Sequence, residues 1–191
     1  MATFPRDQAW AIVTEYIQGD GLRKHMLAVE AAMRAYAPRY DGDPDEWGIV
    51  GLLHDFDWEI HPTFPDHPTE GSKILRERGV PEDMIVAILS HADFTGVPRL
   101  SPMEKTLFAV DELTGLIMAT ALVRPTKSIH DVDVRAVRKR WKDKAFARGV
   151  NRQDIEQGAA ALGVPLEEHI GIVLTAMQNI APTLGVEGER P

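Results

Sequence analysis

His54 and Asp55 sit side by side at the end of an apolar run that begins at Trp47. Polar groups in such a run need compensation, because burying charge without a partner is costly. A divalent transition metal supplies it: neutral imidazole nitrogen and ionised carboxylate oxygen are both good ligands, and the carboxylate offsets part of the ion's charge. The chain of 191 residues contains no cysteine. Disulfides and thiolate metal sites are therefore excluded, and any ion must be held by His, Asp, Glu or water. Four further side chains stand at inward or helix-terminal positions and extend the donor set: His25, His67, His91 and Asp111. A lone histidine on an apolar helix face is ordinarily a hydrogen-bonded core residue. A mid-helix aspartate such as Asp111 is less ordinary, since Asp is a poor helix former and is seldom buried unpaired.

The elements that must position these groups read as helices. Residues 5–18 carry Ala9, Trp10, Ile12, Val13, Tyr16 and Ile17 at helical period, and 22–36 repeats the pattern with His25 on the apolar face. Asp43 as N-cap and Pro44 at the first position open a helix to about residue 54 or 56, which puts the His-Asp pair at its end. Residues 57–65 read as a loop. Asp66 caps a helix over 66–78, with His67 in its first turn and Gly79 as the stop. Pro81 opens a helix that presents His91 in its last turn. Ser101-Pro102-Met103-Glu104 has the form of a capping box, and the helix it starts runs to about residue 122 with Asp111 in its middle. Helices over 128–140, 151–162 and 165–180 follow. The expected fold class is all-α, a bundle of about eight to nine helices in one domain over 1–184. A site-bearing core spans 22–122, a helical extension 128–184, and 185–191 form a flexible tail.

Around the donor set lie further candidates. Asp57, Glu59 and His61 follow the pair closely, and Asp57 is placed to orient a ligand imidazole by accepting its other N–H. Glu70, one turn after His67, is a candidate for proton transfer, although a glutamate there also suits the helix dipole. Asp93 and Glu112 have similarly open roles. The basic cluster Arg135, Arg138, Lys139, Arg140, Lys142, Lys144, Arg148 and Arg152 is ordinarily a solvated face. Its sharper reading has Lys142 or Lys144 receive a substrate phosphate. His130 and His169 stand among charged residues and read as surface positions.

The order of His25, His54-Asp55 and Asp111 resembles the HD-domain superfamily of metal-dependent phosphohydrolases. His67 in Asp66-His67-Pro68-Thr69-Glu70-Gly71 and His91 in Leu89-Ser90-His91-Ala92-Asp93 resemble the two added histidines of its binuclear subgroup. The resemblance covers about residues 22–122. It implies one ion on His25, His54, Asp55 and Asp111, a second on Asp55, His67 and His91, and Asp55 as the bridge, which suits a carboxylate with two donor oxygens. Two such ions activate a water and clamp a phosphoryl oxygen. The ligand chemistry admits Mn, Fe, Co, Ni or Zn, as one or two ions. The implied activity is hydrolysis of a small phosphate ester, with a nucleotide among the candidate substrates. Two readings stand beside it: a di-iron oxygenase, as in some relatives with the extra histidines, and a non-catalytic nucleotide-binding regulatory module.

Composition bounds these readings. A hydrophobic content of 44% with 26% charged residues belongs to a globular chain. The net charge of -8 argues against a nucleic-acid polymer as partner, because neutralising phosphates needs concentrated positive charge. A small anion needs only a local positive site, which metal ions provide. No run is long enough to span a bilayer and the first residues lack a secretory layout, so no membrane partner and a cytoplasmic location are expected.

Overall fold

The computed structural model describes residues 4–188 and contains no strand among them. Its helices are α1 (Arg6–Tyr16), α2 (Asp20–Tyr36), α3 (Pro44–Leu53), α4 (Asp66–Glu77), α5 (Glu82–Ser90), α6 (Pro102–Leu122), α7 (Val134–Arg140), α8 (Arg152–Ala161), α9 (Leu166–Gln178) and the short α10 (Ala181–Leu184). The all-α class is as expected. Among the described residues no single helix is long and apolar enough to cross a membrane.

α2, α3 and α6 form the centre. α2 turns Met26, Val29, Met33 and Tyr36 inward, each fully buried, and packs on α3, α6 and α9. α3 is enclosed on every side: Trp47 through Leu53 are all buried. That explains a run that is apolar without helical period, since a helix surrounded by others has no solvent face to keep polar. The helix starts follow local chemistry. The Asp43 carboxylate accepts from the Asp45 N–H at 2.8 Å, and Ser101 and Glu104 complete the capping box that opens α6.

The C-terminal third is welded to this centre. α8 lies so close to α6 that a Cβ at Gly158 would stand 2.5 Å from the Ala109 Cα, a contact only glycine permits. His169 on α9 is fully buried, which corrects its reading as a surface residue. Its Nε2–H donates to the Ala109 carbonyl at 2.9 Å, and its Nδ1 accepts from the Tyr36 hydroxyl at 2.5 Å. One imidazole thereby joins α9 to α2 and to the turn of α6 that carries Asp111.

Two other expectations need correction. The tail expected from residue 185 does not begin there: Val186 is buried, and its carbonyl accepts from the Ile129 N–H at 2.8 Å. Residues 189–191 lie outside the described residues. At α4, Asp66 makes no cap bond, and His67 has extended backbone (φ -78°, ψ 134°). The cause is Pro68, whose ring disfavours helical backbone in the preceding residue.

Burial lowers the His169 pKa from its ordinary value of 6.5 to about 4. Below pH 6.5 the unfolded chain takes up a proton that the folded chain refuses, so this residue's contribution is complete above pH 6.5 and is lost as pH falls towards 4. His169→Gln removes that titration, and its melting temperature should fall less steeply between those pH values than that of the parent. His169→Phe leaves the hydroxyl and carbonyl unpaired and should cost about 1–3 kcal/mol in a denaturant titration at neutral pH.

Candidate metal centre

The donor groups arrive from five places in the fold. α2 supplies His25, the end of α3 supplies His54 with Asp55 just beyond it, the start of α4 supplies His67, the end of α5 supplies His91, and the middle of α6 supplies Asp111. The six side chains fall into two adjoining groups. His25, His54, Asp55 and Asp111 form one; Asp55, His67 and His91 form the other. Asp55 belongs to both. Its Oδ2 faces His54 Nε2 at 3.4 Å and His25 Nε2 at 3.8 Å, while its Oδ1 faces His67 Nε2 at 3.1 Å and His91 Nε2 at 3.4 Å. Asp111 Oδ1 lies 3.1 Å from His25 Nε2 and 3.4 Å from His54 Nε2.

Every one of these imidazoles is gripped at its far nitrogen. His54 Nδ1 donates to the Gly51 carbonyl at 2.8 Å and His91 Nδ1 to the Ile88 carbonyl. His67 Nδ1 donates to Asp57 Oδ1 at 2.7 Å. His25 Nδ1 meets the Thr114 hydroxyl at 3.3 Å, and that hydroxyl in turn donates to the Asp111 carbonyl. A proton held at Nδ1 leaves the Nε2 lone pair free, the tautomer a metal requires. His54 Nε2 is fully buried and has no hydrogen-bond partner, and His67 and His91 direct their Nε2 atoms at each other from 3.3 Å. Such an arrangement calls for a cation between the lone pairs.

The electrostatics agree. Burial disfavours charge on His54, yet Asp55 and Asp111 overcome it and raise its pKa well above the ordinary value. Burial opposes ionisation of both carboxylates, and the neighbouring histidines nevertheless hold Asp55 and Asp111 below the usual range. His67 is likewise lifted to about 9 against its burial by Asp55 and Asp57. The cluster demands positive charge, and a metal ion is a better supplier than scattered protons because it satisfies all the donors together.

The cluster forms the floor of a cavity of about 580 Å³. Its walls include Trp58, Phe64, Phe94 and Phe108 together with Asp93, Glu112 and Asp154. Burial and the neighbouring Asp111 push Glu112 up to about 7.

Residues 22–116 match the family model described as HD domain. The chain is an HD-domain protein. It thus falls in a superfamily composed mostly of metal-dependent phosphohydrolases, whose domains bind divalent metals. No curated protein and no solved structure matches it.

Asp57 takes the orienting place expected of it: it is fully buried behind His67, with Oδ2 accepting from the Gly71 N–H at 3.1 Å, and it does not line the cavity. Other expected site residues take other places. Glu70 pairs with Lys73 at the surface, 2.6 Å away, and is not a lining residue either. Lys142 and Lys144 are exposed and do not line the cavity. The reason lies in the loop between α7 and α8, which is folded on itself by Arg152: this member of the basic cluster donates to the Ala147 and Val150 carbonyls at 2.9 and 2.8 Å. Glu59 accepts from the Gln18 and Gly19 N–H groups and fastens the loop after α3 to the α1–α2 turn. Sequence reasoning missed Thr114, although a hydroxyl one helical turn after Asp111 stands on the same face. It also missed Trp58, whose ring edge meets His67, and Asp154.

A Cβ at Gly71 would fall 2.3 Å from Asp57 Oδ2. Gly71→Ala should therefore displace the Asp57 carboxylate and lower affinity at the His67–His91 position about 10–100-fold, with the His25–His54 position retained. Metal titration against a competing chelator measures this. Unchanged affinity at both positions would mean that Asp57 does not orient the ligand.

Proposed function

We propose that this HD-domain protein hydrolyses a phosphate ester of a small molecule. The observation that carries the reading is the convergence of four Nδ1-anchored imidazoles on two carboxylates at the floor of one cavity. The donor set of imidazole and carboxylate fits Mn, Fe, Co, Ni or Zn, with His25, His54, Asp55 and Asp111 holding one ion and Asp55, His67 and His91 a second. Ions bound there would supply Lewis acidity to a phosphoryl oxygen and acidify a coordinated water.

The chain's own residues do the rest. Asp55 spans both groups because its two oxygens face different histidine pairs, so one carboxylate sets the relation between the two positions. Asp57, Thr114 and the carbonyls of Gly51 and Ile88 hold the imidazoles in orientation before any substrate arrives, and an anchored ligand set needs no rearrangement during reaction. The cavity walls admit a small molecule and surround the part of it that is not phosphate.

Metal-free protein reconstituted separately with Mn, Fe, Co, Ni and Zn should release phosphate from members of a panel of phosphomonoesters and nucleotides with at least one metal. His54→Ala and Asp55→Ala should lose both bound metal and activity. Absence of phosphate release from every ester with all five metals would overturn the reading. Substrate loss that needs iron and consumes oxygen would assign the oxygenase chemistry instead.

A further inference from the structure

The 21 cations and 29 acids of the chain are unevenly spread. Residues 134–152 hold eight of the cations and a single acid, Asp143, so this segment carries +7 within a protein of net charge -8 and the remainder carries -15. The net charge conceals a concentrated positive surface. Three of the eight cations are engaged: Arg138 faces Glu167 at 3.3 Å, Arg140 lies over the Phe146 ring at 4.5 Å, and Arg152 is turned onto loop carbonyls. The other five, Arg135, Lys139, Lys142, Lys144 and Arg148, are exposed, and their side chains have no ion pair or hydrogen bond among the described residues. Surface arginines elsewhere are matched, Arg34 to Asp45, Arg39 to Glu168, Arg76 to Glu82 and Arg78 to Glu15, all at 2.5–2.7 Å. Asp143 offers the five no partner, because its Oδ1 accepts from the Ala145 and Phe146 N–H groups at 3.2 Å.

The fold holds these charges in place. Arg135 and Lys139, four residues apart, share the face of α7 opposite the buried Val137. Lys142, Lys144 and Arg148 follow on the loop that Arg152 ties together from inside through the Ala147 and Val150 carbonyls. Like charges set side by side repel, and an outside polyanion relieves that repulsion.

The surroundings of the charges decide which polyanion. Trp58, Ile60, Phe64, Phe94, Leu100, Leu122 and Val123 are the exposed large apolar side chains among the described residues, and none belongs to this segment. A stable protein interface needs aromatic or aliphatic anchors at its centre, and a membrane-bound helix needs an apolar face to bury. A phosphodiester backbone needs only positive charge. The row of cations also leaves a seven-residue helix for a loop, a path that a flexible strand follows and a rigid duplex does not. We infer that α7 and the loop after it form an interface for single-stranded nucleic acid, which holds the backbone without regard to base sequence. This interface is independent of the phosphate-ester reading.

Fluorescence anisotropy of the metal-loaded protein with a labelled single-stranded oligonucleotide of about 20 nucleotides, without a terminal phosphate, tests it. Five phosphate contacts give a slope of log affinity against log salt of about -3.5, so affinity should fall about a hundredfold between 50 and 200 mM salt. Arg135→Ala, Lys139→Ala and Lys142→Ala should each weaken binding and make the slope shallower by about 0.7. Lys73→Ala, outside the segment, should change neither. Absence of binding at 50 mM salt, slopes unaltered in all three variants, or equal weakening in Lys73→Ala overturns the inference. Poly-glutamate competing as well as the strand would assign an acidic protein instead, and tighter binding of a duplex would reject the single-stranded partner. Either result also overturns it.

Discussion

Four imidazole lone pairs and two carboxylates facing one another at 3.1–3.8 Å inside a helical core repel unless positive charge lies among them. The rest of the structure is arranged so that they cannot turn away. Each imidazole is tied at Nδ1, to a carbonyl of its own helix in two cases and to Asp57 or Thr114 in the others. The free relaxation of such a cluster would be rotation about the side-chain bonds, and these ties together with the packing around them oppose it. The repulsion is thereby converted into affinity for a cation, since binding energy is greatest where the ligands need no reorganisation.

The helices around the centre serve that purpose. α3 is surrounded by apolar neighbours and is capped by His54, so the His-Asp pair projects from a helix whose last seven residues are all buried. α6 receives α8 at Gly158 and the His169 bond at Ala109, two residues before Asp111. The extension beyond residue 128, outside the segment matched to the HD domain, therefore completes the bundle and braces the turn that carries a ligand. It also brings Asp154, hydrogen-bonded to Asn151, to the cavity wall, so the part of the chain outside the family match shapes the space where a substrate's variable portion would lie.

Local signals in the sequence carried the helix boundaries well. The capping box at Ser101, the Asp43-Pro44 start and the left-handed Gly79 after α4 depend on neighbours within a few residues, and all three stand as read. The donor cluster was legible for a different reason: an Asp in mid-helix and a His-Asp pair in an apolar run conflict with local preference, and such conflicts concentrate at functional sites. What stayed hidden depends on distant partners. His169, flanked by Glu167 and Glu168, has the neighbours of a surface residue, and its burial is explained only by Tyr36 and Ala109, far away along the chain. Arg152 read as one member of a solvated basic face and instead spends its donors on loop carbonyls. Asp154 carried no local mark at all. Its place on the cavity wall follows from the way α8 docks on α6.

The account stands or falls on two ions sharing Asp55. Anomalous diffraction from crystals of the protein loaded with one transition metal, collected on either side of its absorption edge, locates such ions directly. Two peaks should appear, one bounded by His25, His54, Asp55 and Asp111 and the other by Asp55, His67 and His91, with each imidazole bound through Nε2. A single peak within the first group would remove the bridging role of Asp55, and density showing these six side chains directed away from any ion would contradict the account as a whole.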